Sequence, residues 1–169
     1  MNSEELFIRR ERLSYEKNKL SSSLALCAIV LNALFFASIF RVIEKNAGSF
    51  YYNYLIGISV IYNLLFMLTT FLSSEGVKNY KLSFAIILIV VGILQIARIF
   101  ILPLKAFNAE IIVDEVVTTV MRKPQLTRLV IYLVTSSILC VSAGIIGIIK
   151  TMHLAEYYRM KNSSAKEQN

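Results

Sequence analysis

Four apolar runs, each about twenty residues long, constrain this 169-residue chain more than any other feature. They extend over residues 20–40, 51–73, 82–104 and 129–149. A helix needs about 20 apolar residues to cross the roughly 30 Å hydrocarbon layer of a membrane, because it rises 1.5 Å per residue. The remaining residues are too few to cover four such helices in water. The sequence therefore predicts an all-α membrane protein, a bundle of four transmembrane helices.

The composition agrees with this prediction and excludes other classes. Hydrophobic residues make up 56% of the chain and charged residues 17%, against about 45–50% and 25% in soluble domains. The chain has six glycines and two prolines, too few for a disordered or collagen-like segment. Both cysteines, Cys27 and Cys140, lie inside apolar runs, which argues against a disulfide-stapled secreted scaffold.

The distribution of basic residues predicts the orientation. Cytoplasmic flanks hold the excess of Lys and Arg, and with both termini inside that side carries eleven of the 18 basic residues, against six outside. We expect a cytoplasmic N-terminal helix over residues 1–19, a membrane domain over 20–150 and a polar cytoplasmic tail over 151–169. We also expect the first run to be a retained span, because its apolar part is too long for a cleaved signal peptide.

One connection between the runs is itself patterned. Residues 108–121 place valine, isoleucine and methionine side chains at helical spacing, opposite acidic and polar ones. Pro103 precedes this segment and Pro124 follows it, which indicates a separate element. The pattern predicts a short amphipathic helix between the third and fourth spans, lying along the outer membrane interface or against a partner.

Three amides and one cation are the only candidates for chemistry inside the spans. From the helical rise, Asn32 lies about 18 Å, Gln95 about 20 Å and Asn63 about 15 Å from the cytoplasmic boundary. Amides in hydrocarbon need hydrogen-bond partners. We expect the three to contact one another or a neighbouring protein, either as packing contacts between helices or as ligands for a polar molecule.

Arg98 follows Gln95 by three positions, on the same helix face. No Asp or Glu lies in any predicted span, so its counterion must come from elsewhere. One interpretation is that its long side chain reaches outward to the interface. The other is contact with a ligand, a lipid phosphate, a partner chain or the outer carboxylates Asp114 and Glu115.

Small residues follow one face of the fourth span: Ser136, Cys140, Gly144 and Gly147. Such faces let two helix backbones approach closely in a membrane. We therefore expect them to form a packing surface. Cys140, and likewise Cys27, is expected to be a packing residue, since neither belongs to a C-x-x-C pair.

The function is predicted only as a class. No catalytic motif, metal-ligand set or cofactor signature is present, and His153 is the single histidine. Basic residues occur on both membrane faces among acids, which does not support nucleic-acid binding. We predict a non-enzymatic membrane subunit, assembly factor or scaffold that contacts lipid and either other subunits or copies of itself. The alternative is a homo-oligomeric channel or transporter, and a weaker one is a lipid-modifying enzyme.

Overall fold

Four long helices form the body of this computed structural model, which describes residues 8, 11–12, 14–43, 50–107, 110–113, 116–119 and 121–167. The long helices are α1 (Lys19–Ile43), α2 (Phe50–Lys78), α3 (Leu82–Ile101) and α5 (Lys123–Glu167). A short helix, α4 (Pro103–Phe107), and two short strands, β1 (Glu110–Val113) and β2 (Val116–Thr119), lie between α3 and α5. All four long helices are long and apolar enough to cross a membrane, as the sequence predicts.

The helices pack in chain order around a square. α1 contacts α2, α2 contacts α3, and α5 closes the square by packing against both α3 and α1. The diagonal partners of this square are α1 with α3 and α2 with α5. Side chains that join α1 directly to α3 therefore cross the centre of the bundle.

Apolar layers fill the bundle along its length. At the end where α1 begins, small residues such as Ala25, Ala85 and Ala143 pack together. Ala28, Phe66 and Cys140 form the next layer. The opposite end holds the largest layer, which consists of Phe35, Ile39, Ile99, Leu102, Met121, Leu129 and Leu133. The small residues at one end and large ones at the other allow the helices to approach most closely where α1 begins.

The predicted amphipathic helix over residues 108–121 is wrong. The structure has an antiparallel hairpin there, in which Glu110 pairs with Thr119 and Val113 pairs with Val116. β-branched residues occupy most of both strands, and they favour extended backbone over helix. A short apolar run cannot be assigned to helix or strand by periodicity alone. Here the β-branched composition favours strands.

The ends of several elements also differ from the predicted bounds. The chain is helical at the described residues between Ile8 and Tyr15 but leaves the helix at Glu16, and α1 begins at Lys19. Asn18 caps α1, because its Oδ1 accepts from the Ser21 amide at 3.4 Å. α3 ends at Ile101, because Pro103 has no N–H to continue the helix, while the stretch apolar enough to span a membrane continues to Lys105, close to the predicted end at residue 104. α5 extends well beyond the predicted 129–149 in both directions.

Tyr80 shapes the turn between α2 and α3. Its φ is +56°, a left-handed conformation that a bulky residue rarely adopts. The Lys81 amide bonds to the Gly76 carbonyl at 3.1 Å and the Tyr80 amide to the Val77 carbonyl at 3.0 Å, which is the Schellman pattern that usually has glycine at this position. Tyrosine occupies it here with its hydroxyl donating to the Glu16 carbonyl at 2.6 Å.

This bond ties the N-terminal segment to the bundle. Burial, with the Glu16 carboxylate nearby, raises the pKa of the Tyr80 hydroxyl, so it remains a donor at neutral pH. We expect Tyr80→Phe to loosen the segment by about 1 kcal/mol, the net value of one hydrogen bond. Amide exchange at Glu16, whose N–H bonds to the Arg12 carbonyl, should become about fivefold faster. Tyr54→Phe, at an exposed position, is the control, and equal exchange in the two variants would contradict the role of Tyr80.

Candidate functional site

The polar residues that the sequence places inside the spans meet at the centre of the bundle. Asn32 on α1, Asn63 on α2, and Gln95 and Arg98 on α3 are all buried, with Arg98 only 3% exposed. Together with Ser59 on α2 they form the polar cluster. Its position lies between the Ala28 layer and the Phe35 layer, so apolar residues cover it on both sides.

Asn32 is the hub of the polar cluster. Its Nδ2 donates to Asn63 Oδ1 at 2.7 Å. Its Oδ1 accepts from Gln95 Nε2 at 3.0 Å and from Arg98 Nη1 at 2.8 Å. A carbonyl oxygen has two lone pairs, and both are engaged. One amide on α1 thus joins α2 to α3, and two of its three bonds cross the diagonal of the bundle.

Arg98 is held by neutral groups. Its Nη2 donates to Ser59 Oγ at 3.1 Å and approaches the Ser59 carbonyl at 3.5 Å. Its guanidinium carbon lies 4.5 Å from the centre of the Phe35 ring and 4.9 Å from that of Tyr62. Aromatic faces attract cations most strongly where water is excluded. These contacts place the charge inside the bundle and do not extend it outward to the interface.

Two polar atoms of this cluster are left over. Arg98 Nε and Gln95 Oε1 are buried without a hydrogen-bond partner among the described residues. An unpartnered buried polar group costs about 1–3 kcal/mol, and more if it is charged. The cluster therefore holds together three helices while retaining unused hydrogen-bonding capacity beside a cation.

Asp114 and Glu115, the carboxylates predicted as partners of Arg98, lie outside the described residues. Ser59, Phe35 and Tyr62 are contacts of Arg98 that the sequence reasoning missed. A signal for two of them was present in the sequence. Ser59 precedes Asn63 by four positions and Phe35 follows Asn32 by three, so each shares a helix face with a predicted member of the cluster.

The small residues of α5 lie against α1 and α3. Ser136 Oγ donates to the Ala28 carbonyl at 3.0 Å, and Cys140 is buried. A Cβ at Gly144 would lie 2.6 Å from the Ala85 carbonyl oxygen, and one at Gly147 would lie 2.9 Å from a Val77 methyl. Real Cβ atoms do not approach that closely. Gly144 therefore allows close contact with the backbone of α3, and Gly147 allows close contact with side chains of the neighbouring helices.

Further hydroxyls strengthen the same interface. Ser137 Oγ donates to the Gly92 carbonyl at 2.6 Å, and Ser21 Oγ donates to the Ala143 carbonyl. Cys27, in contrast, is exposed on the outside of α1, so the prediction that it is a packing residue is wrong. The reason is that small side chains occur on both faces of α1, and only one face turns inward.

The arrangement limits the chemistry that this site can perform. The polar cluster contains amides, a hydroxyl and a cation, without a nucleophile and base in contact. Within the described part of the chain no group of three histidine, cysteine, aspartate or glutamate residues is placed to hold a metal ion. The site can join helices or bind a group that accepts hydrogen bonds from a guanidinium. No family model, curated protein or solved structure matches this chain.

Proposed function

We propose that this chain is a non-enzymatic multi-pass membrane protein that acts as a subunit, assembly factor or scaffold in a larger membrane complex. One observation carries the proposal: Asn32 hydrogen-bonds Asn63, Gln95 and Arg98 and so joins three helices of the same bundle. Such bonds fix register and packing. They favour a rigid body over a site for turnover.

The outer surface of the bundle supports the same proposal. Large apolar side chains are exposed on every long helix, for example Leu34 on α1, Leu68 on α2, Ile93 on α3 and Ile138 on α5. Such a surface contacts lipid or the spans of other proteins. Because four spans return the chain to the side on which it started, both termini lie on one side, and the excess of basic residues there makes the cytoplasm our proposal for that side.

Gentle extraction from the native membrane tests the proposal. Native mass measurement of the purified particle is expected to show a mass well above that of the 19.2 kDa chain, with other membrane proteins present. A strictly monomeric particle without a co-purifying protein would contradict it. Truncating the outward face of α5 by Ile138→Ala and Ile145→Ala should release the partner proteins while leaving the bundle folded, since both side chains are exposed.

A second candidate function is a homo-oligomeric channel or transporter with a polar path that includes Asn32, Asn63, Gln95 and Arg98. The observation that favours it is the buried cation with unpartnered polar atoms beside it. Anion flux from vesicles that contain only this protein would distinguish the candidates. Flux that is lost in Arg98→Leu but kept in Arg128→Leu, a change at an exposed arginine, would support transport. Absence of flux in the wild type would exclude this candidate.

A further inference from the structure

A hollow opens beside the start of α1, away from the polar cluster. Its volume is about 410 Å³, and it is lined by Tyr15, Glu16, Lys17 and Lys19. Both lysines are exposed, and neither forms an ion pair that the structure shows among the described residues. The hollow therefore presents two free ammonium groups and one carboxylate.

The residues around the hollow are fixed in place. Asn18, between the two lysines, is fully buried. Its Oδ1 accepts from Lys150 Nζ at 3.1 Å, and its backbone N–H donates to the Lys78 carbonyl at 3.1 Å. These two bonds join α5 and α2 to the start of α1. The Tyr80 bond to the Glu16 carbonyl holds the other side of the hollow, so the lysines project from a fixed turn.

The charge beside the hollow is mainly positive. Lys150 adds a third positive charge at the same position along the bundle, whereas Lys78 is already paired with Glu75 at 2.9 Å. The ammonium groups of Lys17, Lys19 and Lys150 thus lie near the hollow, together with the carboxylate of Glu16.

The position of the hollow relative to the first span identifies the ligand class. The span begins at Lys19, so the hollow lies where hydrocarbon gives way to headgroups. Leu20, directly after it, is 54% exposed and offers an apolar surface to an acyl chain. Tyr15 is 81% exposed, and tyrosine is typical of the headgroup region. Basic residues at this level attract anionic lipid.

We propose that this hollow binds the phosphate of an anionic phospholipid, with Lys17 and Lys19 contacting the phosphate and Leu20 contacting the acyl chain. The ligand is a lipid rather than a free phosphate because the apolar surface continues directly from the charged one. The Glu16 carboxylate repels the phosphate, so the proposal predicts that changes at Glu16 and at the two lysines have opposite effects on lipid binding. Removing the lysines lowers retention of the lipid, and neutralising Glu16 raises it.

The test uses the full-length protein in detergent with phosphatidylglycerol or phosphatidylcholine, followed by native mass measurement of retained lipid. The wild type should retain phosphatidylglycerol in preference to phosphatidylcholine. K17Q with K19Q should weaken phosphatidylglycerol binding about thirtyfold, and E16Q should strengthen it severalfold, from the attraction per basic residue near a charged surface. R159Q with K161Q, at exposed positions near the end of α5, is the charge-matched control and should behave as the wild type.

Three outcomes would overturn the proposal. One is equal retention of phosphatidylglycerol in K17Q with K19Q and in the control. Another is equal retention of the two lipids by the wild type. The third is release of the lipid by millimolar inorganic phosphate, which would show a phosphate site without a lipid contact. Circular dichroism of each variant shows whether its helices are intact, so that loss of lipid is not confused with unfolding.

Discussion

Replacing Asn32 by leucine is expected to lower the free energy of unfolding by about 3–5 kcal/mol, because three buried polar groups lose their partner at once. The change removes the acceptor of Gln95 Nε2 and of Arg98 Nη1, and it removes the donor to Asn63 Oδ1. Leucine branches at the same atom as asparagine but is larger, so the same substitution at Asn63 serves to separate overpacking from the lost hydrogen bonds. Reversible unfolding in mixed micelles measures the effect.

Arg98→Leu is expected to act in the opposite direction. It removes a buried cation whose contacts are all neutral, so stability should stay unchanged or rise by about 1–2 kcal/mol. In the Arg98→Leu background, Asn32→Leu should lower the free energy of unfolding by about 2 kcal/mol less than it does in the wild type, because no buried cation is left without its acceptor. The unfolding free energies of the wild type, the two single variants and the double variant form a double-mutant cycle that gives the coupling energy between Asn32 and Arg98. Additive losses would mean that Asn32 does not hold the guanidinium.

Asn63→Leu is the matched control for the hub. Asn63 contributes one acceptor to Asn32 and a long contact from its Nδ2 to Met67 Sδ at 3.6 Å. Its loss should therefore cost about 1–2 kcal/mol. A loss as large as that of Asn32→Leu would contradict the central role of Asn32.

Gly144→Ala is the second substitution with a large expected effect. The new methyl would overlap the Ala85 carbonyl and the Ile89 side chain, each 2.6 Å away. The Ala85 oxygen belongs to the backbone of α3 and cannot rotate aside, so α5 must move outward. Overpacking of this kind costs about 1–3 kcal/mol. It would also stretch the nearby bond from Ser21 to the Ala143 carbonyl.

Gly57→Ala provides the same chemical change without the contact. A Cβ at Gly57 would have nothing within 4 Å, and the residue lies inside α2. Alanine should stabilise the helix there by about 0.5–1 kcal/mol. The two variants are thus expected to differ in sign, which unfolding in the same mixed micelles would measure. A stabilising Gly144→Ala would show that α3 and α5 are not in close contact.

The spans could be predicted from the sequence because hydropathy over twenty residues depends on no tertiary contact. The same holds for the members of the polar cluster, since amides and a cation stand out within apolar runs. The central role of Asn32 could not be predicted, because it depends on how α1 and α3 are rotated about their axes. The hairpin was missed because helical spacing and β-branched composition disagree over residues 110–119, and composition prevailed.

The order in which the helices are arranged around the bundle could not be predicted from the sequence either. Small residues indicate that α5 packs closely against something, but Gly144 and Gly147 do not specify α3 over α2. The structure makes the choice visible in the overlap that a Cβ at Gly144 would have with Ala85. Ser59 could have been found from its helical spacing to Asn63, whereas Tyr62 could not, because it lies next to Asn63 in the chain and off that face.

The length of α5 has a mechanical consequence. Its 45 residues extend about 68 Å, whereas a bilayer with its headgroups is about 40–45 Å thick. The stretch over 151–167 reaches about 25 Å past Lys150, so a 10° tilt of the helix at that point moves its tip by about 4 Å. A change of packing at Gly144 or Gly147, deep among the other helices, therefore moves the far end of α5 by several ångströms.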